Sequence, residues 1–169
     1  MNFAVKKYQK LDEIMRDVCA DVQAFDVKFI YDNDETILQR IKQLEGLNKM
    51  TYPAVIMTGW SESEEDVHTL TVTIDQLWLI HTTKKEEFSE FRSEQRFEKF
   101  LLPLQNELEY RLKSNEFVWF KDANIDSLKY ASRRREMLAG TGENLQEFSS
   151  PVDAIVYEGL QLKLIKKKC

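Results

Sequence analysis

The chain has 169 residues, 43% of them hydrophobic and 31% charged, with a formal net charge of −5. These values suit one globular domain with a sizeable core, and they carry no global basic signature of nucleic-acid binding. No apolar run approaches the ~20 residues that cross a bilayer, the first residues lack a signal-peptide core, and Cys19 and Cys169 do not make a disulfide framework.

Leu11, Ile14, Met15, Val18 and Val22 follow helical spacing and predict an amphipathic helix over residues 5–24. Phe25, Val27, Phe29 and Tyr31 then alternate with Asp26, Lys28 and Ile30, which is a strand pattern. Asp32-Asn33-Asp34 stops it and offers N-caps to a short helix carrying Ile37, Leu38, Ile41 and Leu44, which Gly46 can end. Pro53 is tolerable at the start of a short strand, Ala54 to Met57. Residues 59–66 read as a polar loop. A long strand follows from Thr69 to Thr82, with Leu70, Val72, Ile74, Gln76, Trp78 and Ile80 expected on one face. The loop and its flanking strands resemble a hairpin.

Phe97, Leu101, Leu104, Leu108 and Leu112 belong to the longest helical pattern, about residues 85–113. Pro103 lies inside it and predicts a kink, or a break that puts Pro103 in the first turn of a second helix. Phe117 and Trp119 indicate further strand, residues 126–142 fit strand or helix, and residues 140–151 read as a loop. The closing stretch, Val152 to Ile165, is the most informative. Its apolar residues fall on Ile155 and Tyr157 before Gly159, and on Leu160, Leu162 and Leu164 after it. A strand has period two, so this set changes face unless a β-bulge near Glu158-Gly159 restores one buried face. The fold expected is α+β: a single domain over residues 1–169, mainly antiparallel curved sheet, packed against the long helix and an N-terminal helix.

The sharpest enzyme-like pattern is Phe29 to Thr36. An apolar strand ending in Asp32-Asn33-Asp34-Glu35-Thr36 resembles the first motif of haloacid-dehalogenase-type phosphatases, and Ala54 to Thr58 imitates their second. That resemblance implies Asp32 as nucleophile, Asp34 as acid/base and Thr58 as phosphate ligand, with Mg²⁺ between carboxylates. Only about twenty residues separate the motifs, and no later strand ends in the paired acids that would complete the site. The simpler reading has Asp32 or Asp34 capping the next helix. His68 and His81 lack zinc-pair spacing, and Gly140-Thr141-Gly142 lacks the residues of a phosphate loop. Arg92 and Arg96 share a helix face and are expected to pair with Glu90 or Glu94. Neither a catalytic set, a metal site nor a cofactor is expected.

Charge is uneven. Glu62, Glu64, Glu65 and Asp66 form an acidic cluster; Arg133, Arg134 and Arg135, and Lys166, Lys167 and Lys168, form basic ones. With Trp60 beside the acidic cluster, these are the candidate contact residues for other protein subunits.

One ordered set of features resembles tail-completion or tail-terminator-like proteins of tailed phages and prophages, particularly those of Bacteroidetes. It comprises Tyr52-Pro53-Ala54-Val55-Ile56, the strand Leu70 to Ile80, the helix Arg96 to Leu104, and Val152 to Ile155 with Leu160 to Leu164. It covers about two-thirds of the chain; residues 126–146 and 34–47 carry no part of it. The resemblance implies a structural virion protein of the neck or head–tail junction, made in the host cytoplasm. It implies a homo-oligomeric ring, contacts with other neck, tail or portal-proximal proteins, DNA passing nearby without sequence-specific binding, and no membrane. A bacterial interaction domain unrelated to phage is the other non-enzymatic reading.

Overall fold

The computed structural model describes residues 11–32, 37–64, 69–82, 93–115, 118–119, 132–139 and 146–165. In chain order these form α1 (Leu11–Ala20), β1 (Lys28–Tyr31), α2 (Ile37–Gly46), β2 (Ala54–Met57), β3 (Trp60–Glu64) and β4 (Thr69–Thr82). A helical segment follows, wound as a π-helix over Ser93–Leu101 and as an α-helix, α3, over Leu102–Ser114. β5 (Val118–Trp119), β6 (Ser132–Ala139) and β7 (Gln146–Ile165) complete the order. This is α+β, and the described strands form one seven-stranded sheet.

The sheet is built on two long antiparallel strands. β7 pairs with β4 along almost the whole length of β4, from Thr69↔Ile165 to Thr82↔Val152. β7 occupies one edge of β4, so β2 and β3 share the other; likewise β5 and β6 share the outer edge of β7. β1 lies outside β2 and pairs with it in parallel, Lys28↔Ala54 to Tyr31↔Met57. The mainly antiparallel expectation therefore holds with one exception, a β1–α2–β2 unit in which a ten-residue helix makes the crossover.

The helices cover both faces unequally. α1 and the 93–114 helix pack on one face, where Leu11, Ile14, Met15 and Val18 meet Phe97, Leu101, Leu104 and Leu108 and the sheet residues Val55, Leu79 and Leu162. α2 covers a smaller core on the other face, where Ile41 packs with Ile30, Ile56, Trp78, Ile80 and Val156. The apolar spacing of Phe97, Leu101, Leu104, Leu108 and Leu112 keeps one stripe buried through the change of winding. Pro103 sits in the first turn of α3, where a missing N–H costs least.

The bulge expected in β7 is present in effect but is not confined to β7. Tyr157 and Leu160 are three residues apart yet lie in the same core; so do Ile74 and Leu77 in β4, and Met57 and the half-buried Trp60 across the β2–β3 break. Three is an odd step, so each chain changes side once at the same level. Register does not slip: Ile74↔Leu160 continues as Gln76↔Glu158, and Trp60↔Ile74 as Met57↔Leu77. A crease thus crosses the sheet through Thr58-Gly59, Asp75-Gln76 and Glu158-Gly159. Gly159 takes φ +64°, a conformation that side chains resist. At Gly59 a Cβ would lie 2.8 Å from Asp75 Oδ2, so only glycine lets that carboxylate approach. Thr58 bridges the gap: its N–H and hydroxyl donate to the Gln76 carbonyl at 3.0 and 3.3 Å, and the Gln76 N–H donates to its Oγ1 at 3.1 Å.

Four expectations are corrected. β4 is not regular: Leu77 and Leu79, not Gln76, Trp78 and Ile80, share a core with Leu70, Val72 and Ile74, because β4 must turn with its creased partner. The segment 59–66 is not all loop: residues 60–64 form β3, and the hairpin with β4 is real. β7 begins at Gln146, inside the expected 140–151 loop, because β6 offers a partner to residues 146–147. α1 ends at Ala20 rather than at residue 24.

Burial has a consequence at high pH. The Cys19 thiol is pushed up to about 12 by desolvation. The Tyr157 phenol is raised by burial, then by the Glu109 charge, and the Tyr52 phenol by burial, then by Glu45. Each folded-state value lies above its unfolded one, so this contribution is complete at neutral pH and is lost as pH rises. The unfolded chain begins releasing these protons near ~8.5 for cysteine and ~10 for tyrosine. Unfolding free energy should then fall by up to about 1.4 kcal/mol per pH unit for each group. Urea midpoints measured from neutral to strongly alkaline pH should drop progressively; a flat profile would contradict the burial of these groups.

Candidate functional site: the charged edges of the sheet

Two of the strands that border the sheet, one on each side of the β4–β7 pair, carry opposite charge. On one, β3 reads Trp-Ser-Glu-Ser-Glu, with Glu62 exposed and Glu64 one pleat further on. On the other, β6 reads Ser-Arg-Arg-Arg-Glu and bears Arg133, Arg134 and Arg135. Among the described residues no strand pairs with the far side of either. Free edges of this kind present backbone donors and acceptors to another chain. Glu62 and Glu64 stand opposite Val72 and Leu70, whereas Arg133 and Arg135 stand opposite Ile155 and Asp153.

Trp60 is placed differently from a free anchor. It is half-buried, its ring packs against the main core, and its Nε1 is buried without a hydrogen-bond partner among the described residues. Glu65, Asp66, Lys166, Lys167 and Lys168 lie outside the described residues, as do Asp34, His68, Arg92 and Gly140 to Gly142.

The phosphatase-like pair is half assembled. Asp32 and Thr58 follow the ends of two adjacent parallel strands, and the Asp32 N–H donates to the Met57 carbonyl at 3.3 Å. A cleft of about 370 Å³ lined by Asp32, Gln39, Arg40 and Gln43 opens there. Thr58, however, is buried and its oxygen is engaged with Gln76 of β4. Among the described residues no three acidic, histidine or cysteine side chains converge as metal ligands.

At the Thr82 end of β4 a polar cluster is enclosed by aromatic rings. His81 lies 4.7 Å from Phe100 and 6.1 Å from Tyr52 between ring centres. The Arg96 Nε donates to the Thr82 carbonyl at 2.8 Å, tying the π-helical segment to the sheet. Asp153, 0% exposed, is the ladder partner of His81 on one side and Arg135 on the other. A buried carboxylate is costly unless it is compensated by charge or hydrogen bonds. Sequence alone does not mark Asp153, because its spacing is that of any strand residue; only the pairing brings His81 beside it.

The positively charged cleft along β1 also escapes the sequence. It gathers Arg16 from α1, Lys28 from β1 and Arg40 from α2, residues that no motif links. Among the described residues no helix is long and apolar enough to cross a membrane. No family model, no curated protein and no solved structure matches this chain.

Proposed function

We propose that this chain is a non-enzymatic structural subunit of a phage neck or head–tail junction that assembles head to tail into a ring. The observation that carries the reading is the placement of an acidic strand and an arginine-rich strand on opposite sides of the β4–β7 pair. A heterologous contact that joins unlike edges closes into a ring when the rotation per subunit allows it. Opposite charges on those edges favour the unlike pairing and suppress the like one. The segments that resemble tail-completion proteins support the reading too. Ala54–Met57, Leu70–Ile80 and Ala154–Leu164 are neighbouring strands, and the Arg96–Leu104 helix packs over them. A net charge of −5 agrees with DNA that passes without being held tightly.

The test is charge reversal with compensation. Replacing Arg133, Arg134 and Arg135 by Glu should leave the circular dichroism spectrum unchanged and abolish rings seen by light scattering and electron microscopy. Combining that variant with Glu62→Lys and Glu64→Lys should restore them. A wild type that stays monomeric at every concentration, or a reversed variant that assembles normally, would sink the proposal.

The parallel β1–β2 pair with Asp32 at its end favours a second reading, a small Mg²⁺-dependent phosphatase, since open parallel strands bind ligands at their carboxyl ends. Metal-dependent phosphatase turnover that disappears in Asp32→Asn would establish it; no turnover in the wild type removes it.

A further inference from the structure

β1 is an edge strand set in a cleft between two helices. The cleft, about 220 Å³, is lined by all four residues of β1, by Arg16 of α1 and by Arg40 and Leu44 of α2. In a parallel pair a residue directs its N–H and C=O to the same side, and alternate residues face opposite ways. The N–H groups of Lys28 and Asp32 donate to the Pro53 and Met57 carbonyls of the β2 side. Phe29 and Tyr31 therefore turn their N–H and C=O groups outward, into the cleft. Among the described residues no strand meets them.

The side chains around this backbone edge select for charge. Phe29 packs toward the α1 face and Ile30 toward the α2 face, so the strand is anchored from both sides. Arg16 approaches from α1, Lys28 and Arg40 from the α2 side, and both arginines are exposed. An added strand points successive side chains to opposite faces, so an acidic residue of either parity meets a cation. Tyr31, 41% exposed, supplies an aromatic surface at the far end. The chain's own first ten residues contain Lys6, Lys7 and Lys10 and no acid, the wrong charge for this cleft.

We propose that the open edge of β1 captures an extended acidic segment of another protein as an added β-strand, with Arg16, Lys28 and Arg40 selecting its carboxylates. Main-chain pairing supplies the affinity and the alternating side-chain contacts the selectivity, as in strand addition generally. This site is separate from the β3 and β6 edges and does not depend on ring formation.

The probe is a fluorescein-labelled acetyl-Glu-Val-Glu-Val-Glu-Val-amide, titrated with the full chain at low salt and followed by anisotropy. The acidic peptide should bind, and a Lys-Val counterpart should not. Arg16→Glu with Arg40→Glu should weaken binding at least about tenfold, since two charge-assisted contacts become repulsive. Methylating the peptide nitrogens on either one of its two faces in turn should abolish binding in one of the two versions, because one face carries the ladder hydrogen bonds. The variant with Arg133, Arg134 and Arg135 reversed should bind as the wild type does, which separates this result from the fate of the ring. The proposal is overturned if the acidic peptide does not bind, if both methylated peptides bind equally well, or if inorganic phosphate displaces the peptide and thereby identifies a simple anion site.

Discussion

Deleting Gly159 should leave no folded protein at room temperature. The crease consumes one residue in each strand it crosses, and in β7 the glycine with φ +64° lies at that point. Without it β7 alone could run as a regular strand, but β4 keeps its own crease, and in the β4 ladder Leu160, Leu162 and Leu164 would then stand opposite Asp75, Thr73 and Thr71, on the face away from the helices. All three are buried against the helices. Each buried leucine contributes roughly 1.5–3 kcal/mol. Losing three removes an amount comparable with the roughly 5–15 kcal/mol that holds a domain of this size together. The slipped alternative, which keeps those leucines inward, moves Ile155 and Tyr157 outward instead. A point substitution isolates the backbone part. A Cβ at position 159 would meet nothing within 4 Å, so Gly159→Ala has only its left-handed conformation to overcome. That costs about 1–2 kcal/mol. Urea unfolding of both variants decides the matter: a cooperative transition in the deletion variant, or no loss in Gly159→Ala, would show that β7 does not need the crease.

Tyr157→Ala should be the most damaging single substitution in the sheet, at roughly 3–5 kcal/mol, the range for removing a buried aromatic ring. Tyr157 is 1% exposed and is the largest of the fully buried side chains. It stands beside Leu77 in the ladder, one pair from the crease. Its hydroxyl donates to Glu109 Oε1 at 3.4 Å, which ties β7 to α3. Tyr157→Phe keeps the ring and loses only the hydroxyl's contacts with Glu109 and Gln105, so it should cost no more than ~1 kcal/mol. The same variant should flatten part of the alkaline loss of stability, because one raised phenol is gone. If the alanine variant loses less than the phenylalanine one, the ring does not fill the core as described.

Much of the fold is readable from residue order. Helical spacing places α1 and the 97–112 stripe, since a buried face repeats every three or four residues whatever lies opposite. The break in period at Gly159 announces the crease, because no regular strand can bury both halves of β7. The partner strands are less legible. In β4 the residues from Leu70 to Ile80 alternate without a glycine, and both faces carry apolar residues beyond Asp75, so either set suits a core. β3 is hidden by its composition: Ser, Glu, Ser and Glu read as loop, yet pairing with β4 makes them an edge strand. The acidic and arginine clusters are visible as runs, but a run does not reveal which side of a sheet it borders.

Local pattern thus determined the α+β class, the helices, the long strands and the position of the face change, because each follows from side-chain period and from the conformational limits of glycine and proline. Tertiary pairing alone decided that β1 runs parallel to β2. It also decided that the crease is shared by neighbouring strands, and that Asp153 meets His81. Only pairing set Glu62 and Arg133 on opposite edges and gathered Arg16, Lys28 and Arg40 around one strand. The physical reason is the same in each case. These relations join residues far apart in sequence, and a hydrogen-bonded ladder selects its partners by the free energy of the whole sheet, which no local window contains.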